Sequence, residues 1–325
     1  MAHSIQLGLH DPGDDERETQ LQDAFQDLVD GAISPQDAAR AIDGIITSDC
    51  QEAYEAYRSW QASAEKQSDN ESVPGPQPAG WQKYLWDCFG MSAMKMAAES
   101  PAQDRLVDLF KELQNLPRHT VPWLCNGEMI EKTLWELTRQ NSYDYFDQWM
   151  WELDQGHFVC GNVGGDPNVA TSYINFSAFQ ARLFGSHIAA ITRLSALMRL
   201  SSIGIPRAGT LDEHDKVSRA APRVRAAAQW IFYADEALYE MCEKGALVSI
   251  GSPRWTRLRW DAWKTKFDAV GTDARFDEET RQCATKVSDR MSALQTRGLG
   301  DRPSVIDAFG FLIPEEDDDD EEDER

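Results

Sequence analysis

The sequence predicts an all-α protein: a compact multi-helix domain preceded by a small helical segment, with disordered termini. Three observations lead there. Apolar residues recur at helical spacing in one segment after another. Several of those segments open on a capping residue followed by proline. No stretch sustains the period-2 alternation of a half-buried strand, and the single strand candidate, HFVCGNV at 157–163, is short and glycine-bounded. With 42% hydrophobic residues and 11 tryptophans in 325 residues, the chain can build a sizeable core without staples.

In chain order, residues 1–18 are expected to form a disordered arm and 19–65 an N-terminal helical segment, with helices near 20–30 and 49–64. Ser34, Pro35 and Asp37 read as a cap, a first helical position and an acidic first turn. Residues 66–80, KQSDNESVPGPQPAG, hold three prolines and two glycines among polar groups and read as a linker or long loop. The main helical domain is expected over 81–313, starting with a helix near 81–98. Ser100, Pro101 and Gln103 repeat the start signal; Leu106, Leu109, Phe110, Leu113 and Leu116 follow on one face, and Pro117 ends the run. Further helices are expected near 128–153, 172–200, 217–244, 255–269 and 277–296. The stretch 226–242 is apolar around most of its circumference, as a central helix would be. No fixed-period repeat is visible.

Charge narrows the function classes. The chain carries a formal net charge of −23, and residues 315–325 alone, EEDDDDEEDER, hold ten acids and one arginine. Like-charge repulsion predicts a disordered acidic tail over 314–325. The remainder is also acidic, so direct nucleic-acid binding is not expected, because phosphate affinity depends on Lys and Arg. The most apolar run, HIAAITRLSALMRL, is interrupted by Arg193 and Arg199 and is too short to span a bilayer. The first residues show no apolar leader. A cytoplasmic or nuclear protein without membrane contact is expected, its six scattered cysteines reduced.

The motifs that carry chemistry are absent or incomplete. GNVGGDPNV, 161–169, lacks the spacing of a P-loop or a dinucleotide fingerprint and reads as a connecting loop, with Asp166-Pro167 initiating a turn. His157 and Cys160 form one tight pair, where zinc usually takes two. No catalytic residue, metal site or cofactor is predicted.

Two constellations merit attention. Asn175, Phe179 and Arg182 fall at i, i+4 and i+7 and share a helical face; with Trp230 of the central helix they could line a pocket or form an internal polar network. In SPRWTRLRWDAWKTKF, 252–267, the helical wheel groups Trp260, Trp263 and Phe267 in one arc. Arg257 and Lys264 flank it on one side, Arg259 and Lys266 on the other. Cationic stems flanking an aromatic stripe are expected to cover the edge of a buried face rather than to present stacking rings to a nucleic acid.

Four stretches together resemble a family of filamentous fungi described only as a domain of unknown function. They are YINFSAFQARL (Tyr173–Leu183), AAQWIFYADEALY, RWDAWKTKF and DEETRQCATKVSDRM (Asp277–Met291). The family pattern has tryptophan where this chain has Tyr173, and a second asparagine where it has Ser177. The resemblance covers about the last two thirds of the chain. It implies an all-helical fold and a fungal, intracellular protein, and supplies no activity, cofactor or catalytic residue.

The leading expectation is a non-enzymatic interaction or regulatory protein whose partner is unknown, a protein partner being one candidate. One alternative is a small-molecule binder or enzyme using a pocket between the central helices. Another is an acidic-tailed partner of basic proteins.

Overall fold

The computed structural model describes residues 5–63, 74–159, 163–188, 192–204, 213–247, 253–301 and 303–313. The acidic tail, the 66–73 portion of the expected linker and Cys160 lie outside the described residues. Among those described, eleven α-helices account for most of the chain and a single two-stranded sheet interrupts them, so the protein is mostly all-α. No described helix is long and apolar enough to cross a membrane. The chain divides into two compact units, Met1–Val159 and Cys160–Arg325.

The first unit opens with α1 (Glu16–Asp30), α2 (Pro35–Ala62), α3 (Pro78–Lys95) and α4 (Pro101–Asn115). Asp15 and Glu18 form a reciprocal capping box on α1, and Ser34 and Ser100 cap α2 and α4 as their sequence context predicts. The segment before α1 is pinned to it: Leu7 is buried, and the Gln26 side chain bonds the backbone at both Ile5 and Leu7. α1 and the separately expected helix starts at 35 and 49 give two helices rather than three, because no proline lies between Ala39 and Cys50 and α2 runs through Gly44. The core is aromatic: Phe110 lies 4.4 Å and Trp86 4.9 Å from Phe146, and Phe25 meets Phe89 edge-on at 5.2 Å.

The sequence expectation fails over 128–153. A β-hairpin, β1 (His119–Cys125) and β2 (Glu128–Leu134), replaces the start of the expected helix. Its turn is Asn126-Gly127, both at positive φ (50° and 84°), the two-residue geometry that matches strand twist. The hairpin carries mostly part-exposed residues on both faces, which is why no alternation announces it. A 3₁₀ turn (Arg139–Asn141) follows, then α5 (Phe146–Asp154). The strand candidate at 157–163 is also corrected: Gln155–Val159 is a π-helical turn continuing α5.

The second unit holds α6 (Pro167–Gly185), α7 (Thr192–Ser201), α8 (Glu213–Glu243), α9 (Arg257–Thr272), α10 (Glu278–Arg297) and α11 (Val305–Phe309). Asp166 caps α6 and Pro167 opens it. The expected helix over 172–200 is two: α6 ends at Gly185, and His187 turns the chain at φ 59°. α6 and α8 pack closely enough that a Cβ at Gly185 would collide with the Tyr233 carbonyl oxygen. α8 is broken at Ala234, whose φ of −141° is non-helical, and Asp235 just beyond accepts from Arg290 Nε of α10 at 2.7 Å.

Glu240 of α8 holds α11 in place. It accepts from Ser304 Oγ at 2.5 Å, the Val305 N–H at 2.9 Å and Lys244 Nζ at 2.9 Å. Burial alone would raise this carboxyl, but the bonds from Ser304, Lys244 and Val305 outweigh it and hold the pKa below the usual glutamate value. A depressed folded-state pKa means that the stabilisation is complete above the unfolded value of about 4.3 and is lost as pH falls through the folded one. Hydrogen exchange of the Val305–Phe309 amides, corrected for intrinsic rates, should therefore lose protection in acid before the α9–α10 amides do. In Glu240→Gln the acid-dependent step should disappear, since glutamine does not titrate.

Candidate functional site

The first unit contains a cavity of 330 Å³ with three walls. α3 supplies Ala79, Gln82, Lys83 and Trp86, and α5 with its preceding residue supplies Tyr145, Gln148, Trp149 and Glu152. Both sets have the spacing i, i+3, i+4, i+7, so each is one continuous helical face. The hairpin forms the third wall with Trp123 and Lys132. Trp123 pairs with Ile130 and Val121 with Lys132, which makes Trp123 and Lys132 diagonal neighbours. The Lys132 ammonium consequently lies 5.6 Å from the Trp123 ring centre.

The loop that enters α5 has an uncommon backbone. Ser142, Tyr143, Asp144 and Tyr145 all have positive φ, 53°, 54°, 54° and 65°, and none is glycine. Left-handed residues normally occur singly, since each costs roughly 1–2 kcal/mol in an L-residue. Here the surroundings fix them. The Tyr143 N–H donates to Thr138 O at 2.7 Å, and its ring is buried 6.1 Å from Phe110. The Asp144 N–H donates to Asn141 Oδ1 at 3.2 Å, and Trp86 Nε1 donates to the Asp144 carbonyl at 3.1 Å. The Asp144 carboxylate accepts from Lys132 Nζ at 3.1 Å and from the Gln82 amide. One aspartate therefore ties all three walls together, and it leaves Tyr145, 68% exposed, at the cavity rim.

Indole N–H groups orient the remaining rings. Trp149 Nε1 donates to Asp87 at 2.9 Å, and Lys83 Nζ lies 5.0 Å from the Trp149 ring centre. Burial pushes the Asp87 carboxyl up, opposed by the Trp149 bond and by the Lys83 and His157 charges. In the same way Trp81 donates to Asp49 at 2.7 Å and Trp135 to Asp43 at 2.6 Å. A second cavity, of 390 Å³, shares Lys83 and is bounded by Asp15, Asp49, Asp87, Trp81 and Tyr84. Apolar rings with a few placed polar groups are the usual composition of a small-molecule site, and such sites run to about 300–1,000 Å³.

The residues singled out by sequence lie in the second unit. Asn175, Phe179, Arg182 and Trp230 come together between α6 and α8, all buried. Trp230 Nε1 donates to Ser177 Oγ at 3.0 Å, and the Ser177 hydroxyl donates in turn to Ala226 O at 2.8 Å. The Arg182 guanidinium stacks 3.5 Å from the Tyr233 ring centre and donates to Ala178 O. On α9, Trp260, Trp263 and Phe267 are buried. The flanking cations bond within the unit: Arg257 to Glu243 at 2.5 Å, Arg259 to Arg254 O at 2.9 Å, Lys264 to Asp268 at 3.2 Å and Lys266 to Ser201 O at 3.2 Å. Among the described residues, no group of three His, Cys, Asp or Glu is arranged to hold a metal.

Sequence reasoning missed the first-unit cavity. Its signals were the repeated i, i+3, i+4, i+7 polar and aromatic pattern at 79–86 and 145–152 and the Asn126-Gly127 hairpin turn. In the left-handed run over 142–145 only Asp144 is of a type that advertises that conformation, as asparagine, aspartate and glycine do; Ser142, Tyr143 and Tyr145 are not.

Fold and site together define a mostly helical protein with an aromatic cavity in its N-terminal unit. The chain belongs to the family of proteins of unknown function DUF3632, whose model matches residues 86–267. The match begins at Trp86 in the cavity wall and ends at Phe267 in the stripe of α9, so it takes in parts of both units. No curated protein and no solved structure matches the chain.

Proposed function

We propose that the protein is a non-enzymatic, regulatory binding protein whose N-terminal unit receives a planar small molecule in the cavity between α3, α5 and the β-hairpin. The observation that carries this reading is the way Asp144 holds three walls of tryptophan and polar side chains open around 330 Å³ at the cost of four left-handed residues. Backbone strain maintained by several converging hydrogen bonds is typical of places where a precise cavity shape matters. The groups around the cavity suit recognition: indole faces for stacking and amides and ammonium groups for orientation.

Calorimetric titration with 2-naphthylmethanol, a neutral bicyclic alcohol, tests the reading. Saturable one-to-one binding is expected in the wild type, with loss of at least tenfold in affinity for Trp149→Ala. Trp149 is only half-buried, so circular dichroism should report an intact fold for that variant. Absence of saturable binding, or equal affinity in wild type and Trp149→Ala, refutes the assignment of this cavity.

A further inference from the structure

Within the cavity the hydrogen-bond acceptors and donors are unequally engaged. Both oxygens of Asp144 are occupied, by Lys132 and by Gln82, and Glu152 accepts from Gln148 Nε2 at 2.7 Å. Two of the three indole N–H groups are also engaged, Trp86 by the Asp144 carbonyl and Trp149 by Asp87. The ammonium groups keep donors to spare. Lys83 makes no ion pair among the described residues, and Lys132 directs one of its three N–H donors to Asp144. Lys132 is only 16% exposed, so water reaches its remaining donors poorly.

We infer that the cavity takes a planar aromatic monocarboxylate, with its ring against the part-exposed Trp123 and Trp149 and its carboxylate on the ammonium groups of Lys83 and Lys132. The inference rests on the ligand-binding reading of the same cavity and adds the charge of the ligand. Two lysines and two carboxylates, Asp144 and Glu152, line the cavity. Because the carboxylates already accept from Lys132, Gln82 and Gln148 while the ammonium groups keep donors to spare, the unmet demand is for an acceptor, which binds most strongly when it carries negative charge. The surrounding unit limits how much. Residues 1–159 hold 28 acidic and 11 basic residues, a net of −17, and a field of that sign repels a polyphosphate far more than a single carboxylate. The indole faces select a flat, conjugated body over an aliphatic chain of the same charge.

Three probes with a common ring separate the outcomes: 2-naphthoate, 2-naphthylmethanol and 2-naphthylmethylammonium, titrated by calorimetry against the whole protein. 2-Naphthoate is expected to bind about fivefold more tightly than the alcohol, the upper end of what a partly exposed ion pair supplies. In Lys83→Gln, a change at an exposed helix position, the ratio of the two affinities should fall toward one. It should also shrink at 1 M salt, where the Debye length is about 3 Å. If no probe binds, the ligand-binding reading itself fails. If the alcohol binds but naphthoate gains nothing, if the gain survives Lys83→Gln, or if the ammonium probe binds best, the cavity stands and the anionic ligand is refuted.

Discussion

Trp230→Ala is expected to lower the unfolding free energy by about 3–5 kcal/mol, the range for emptying a large aromatic site in a packed core. Trp230 is fully buried, on the α8 face that meets α6. Its indole N–H donates to Ser177 Oγ, whose own proton is committed to Ala226 O, so truncation creates a cavity and also strips a buried hydroxyl of its donor. Trp230→Phe fills most of the volume and removes only the N–H, so it should cost about 1–2 kcal/mol. Urea unfolding followed by circular dichroism measures both. Equal losses for the two variants would assign the whole effect to the hydrogen bond, and a loss below about 1 kcal/mol for Trp230→Ala would show that α6 and α8 collapse into the space.

That contrast bears on what the sequence could disclose. Helix existence was legible wherever a local signal and a buried face coincided: Ser34 and Ser100 cap as their residue types demand, and the stripe Trp260, Trp263, Phe267 points inward. The grouping of Asn175, Phe179 and Arg182 on one buried face was legible for the same reason. What those side chains contact was not, because Ser177 and Tyr233 become their neighbours only through α6–α8 packing. The hairpin shows a different failure. Asn126-Gly127 is a strong local signal, but the strands around it are mostly part-exposed on both faces, with only Val121 and Leu134 buried, so there is no hydrophobic period to support it. The cavity is further still from the sequence. Its walls lie at 79–86, 123–132 and 145–152, and they converge only because residues 142–145 turn left-handed, a choice imposed by the Asp144, Trp86 and Thr138 contacts rather than by intrinsic preference.

Asp144 is accordingly the residue whose loss should do most damage in the first unit. Asp144→Ala leaves the Lys132 ammonium without its counter-ion in a site where the two side chains are only 16% and 8% exposed, and leaves the Gln82 amide without its acceptor. Breaking one side of such a pair costs about 3–5 kcal/mol, because the orphaned charge stays desolvated. Removing Lys132 as well should return part of that loss, so Asp144→Ala with Lys132→Met is expected to be more stable than Asp144→Ala alone. Backbone strain can be separated from the ion pair with glycine. Asp144→Gly deletes the same carboxylate but accepts a φ of 54° without steric penalty. Glycine is normally the more destabilising choice because of its unfolded-chain entropy. At this position the order should invert, with Asp144→Gly about 1 kcal/mol more stable than Asp144→Ala. Urea unfolding of the three variants tests the argument. Alanine equal to or better than glycine would mean that the left-handed turn relaxes once the carboxylate is gone, in which case the carboxylate bonds to Lys132 and Gln82, rather than the backbone contacts of Tyr143 and Asp144, hold the conformation.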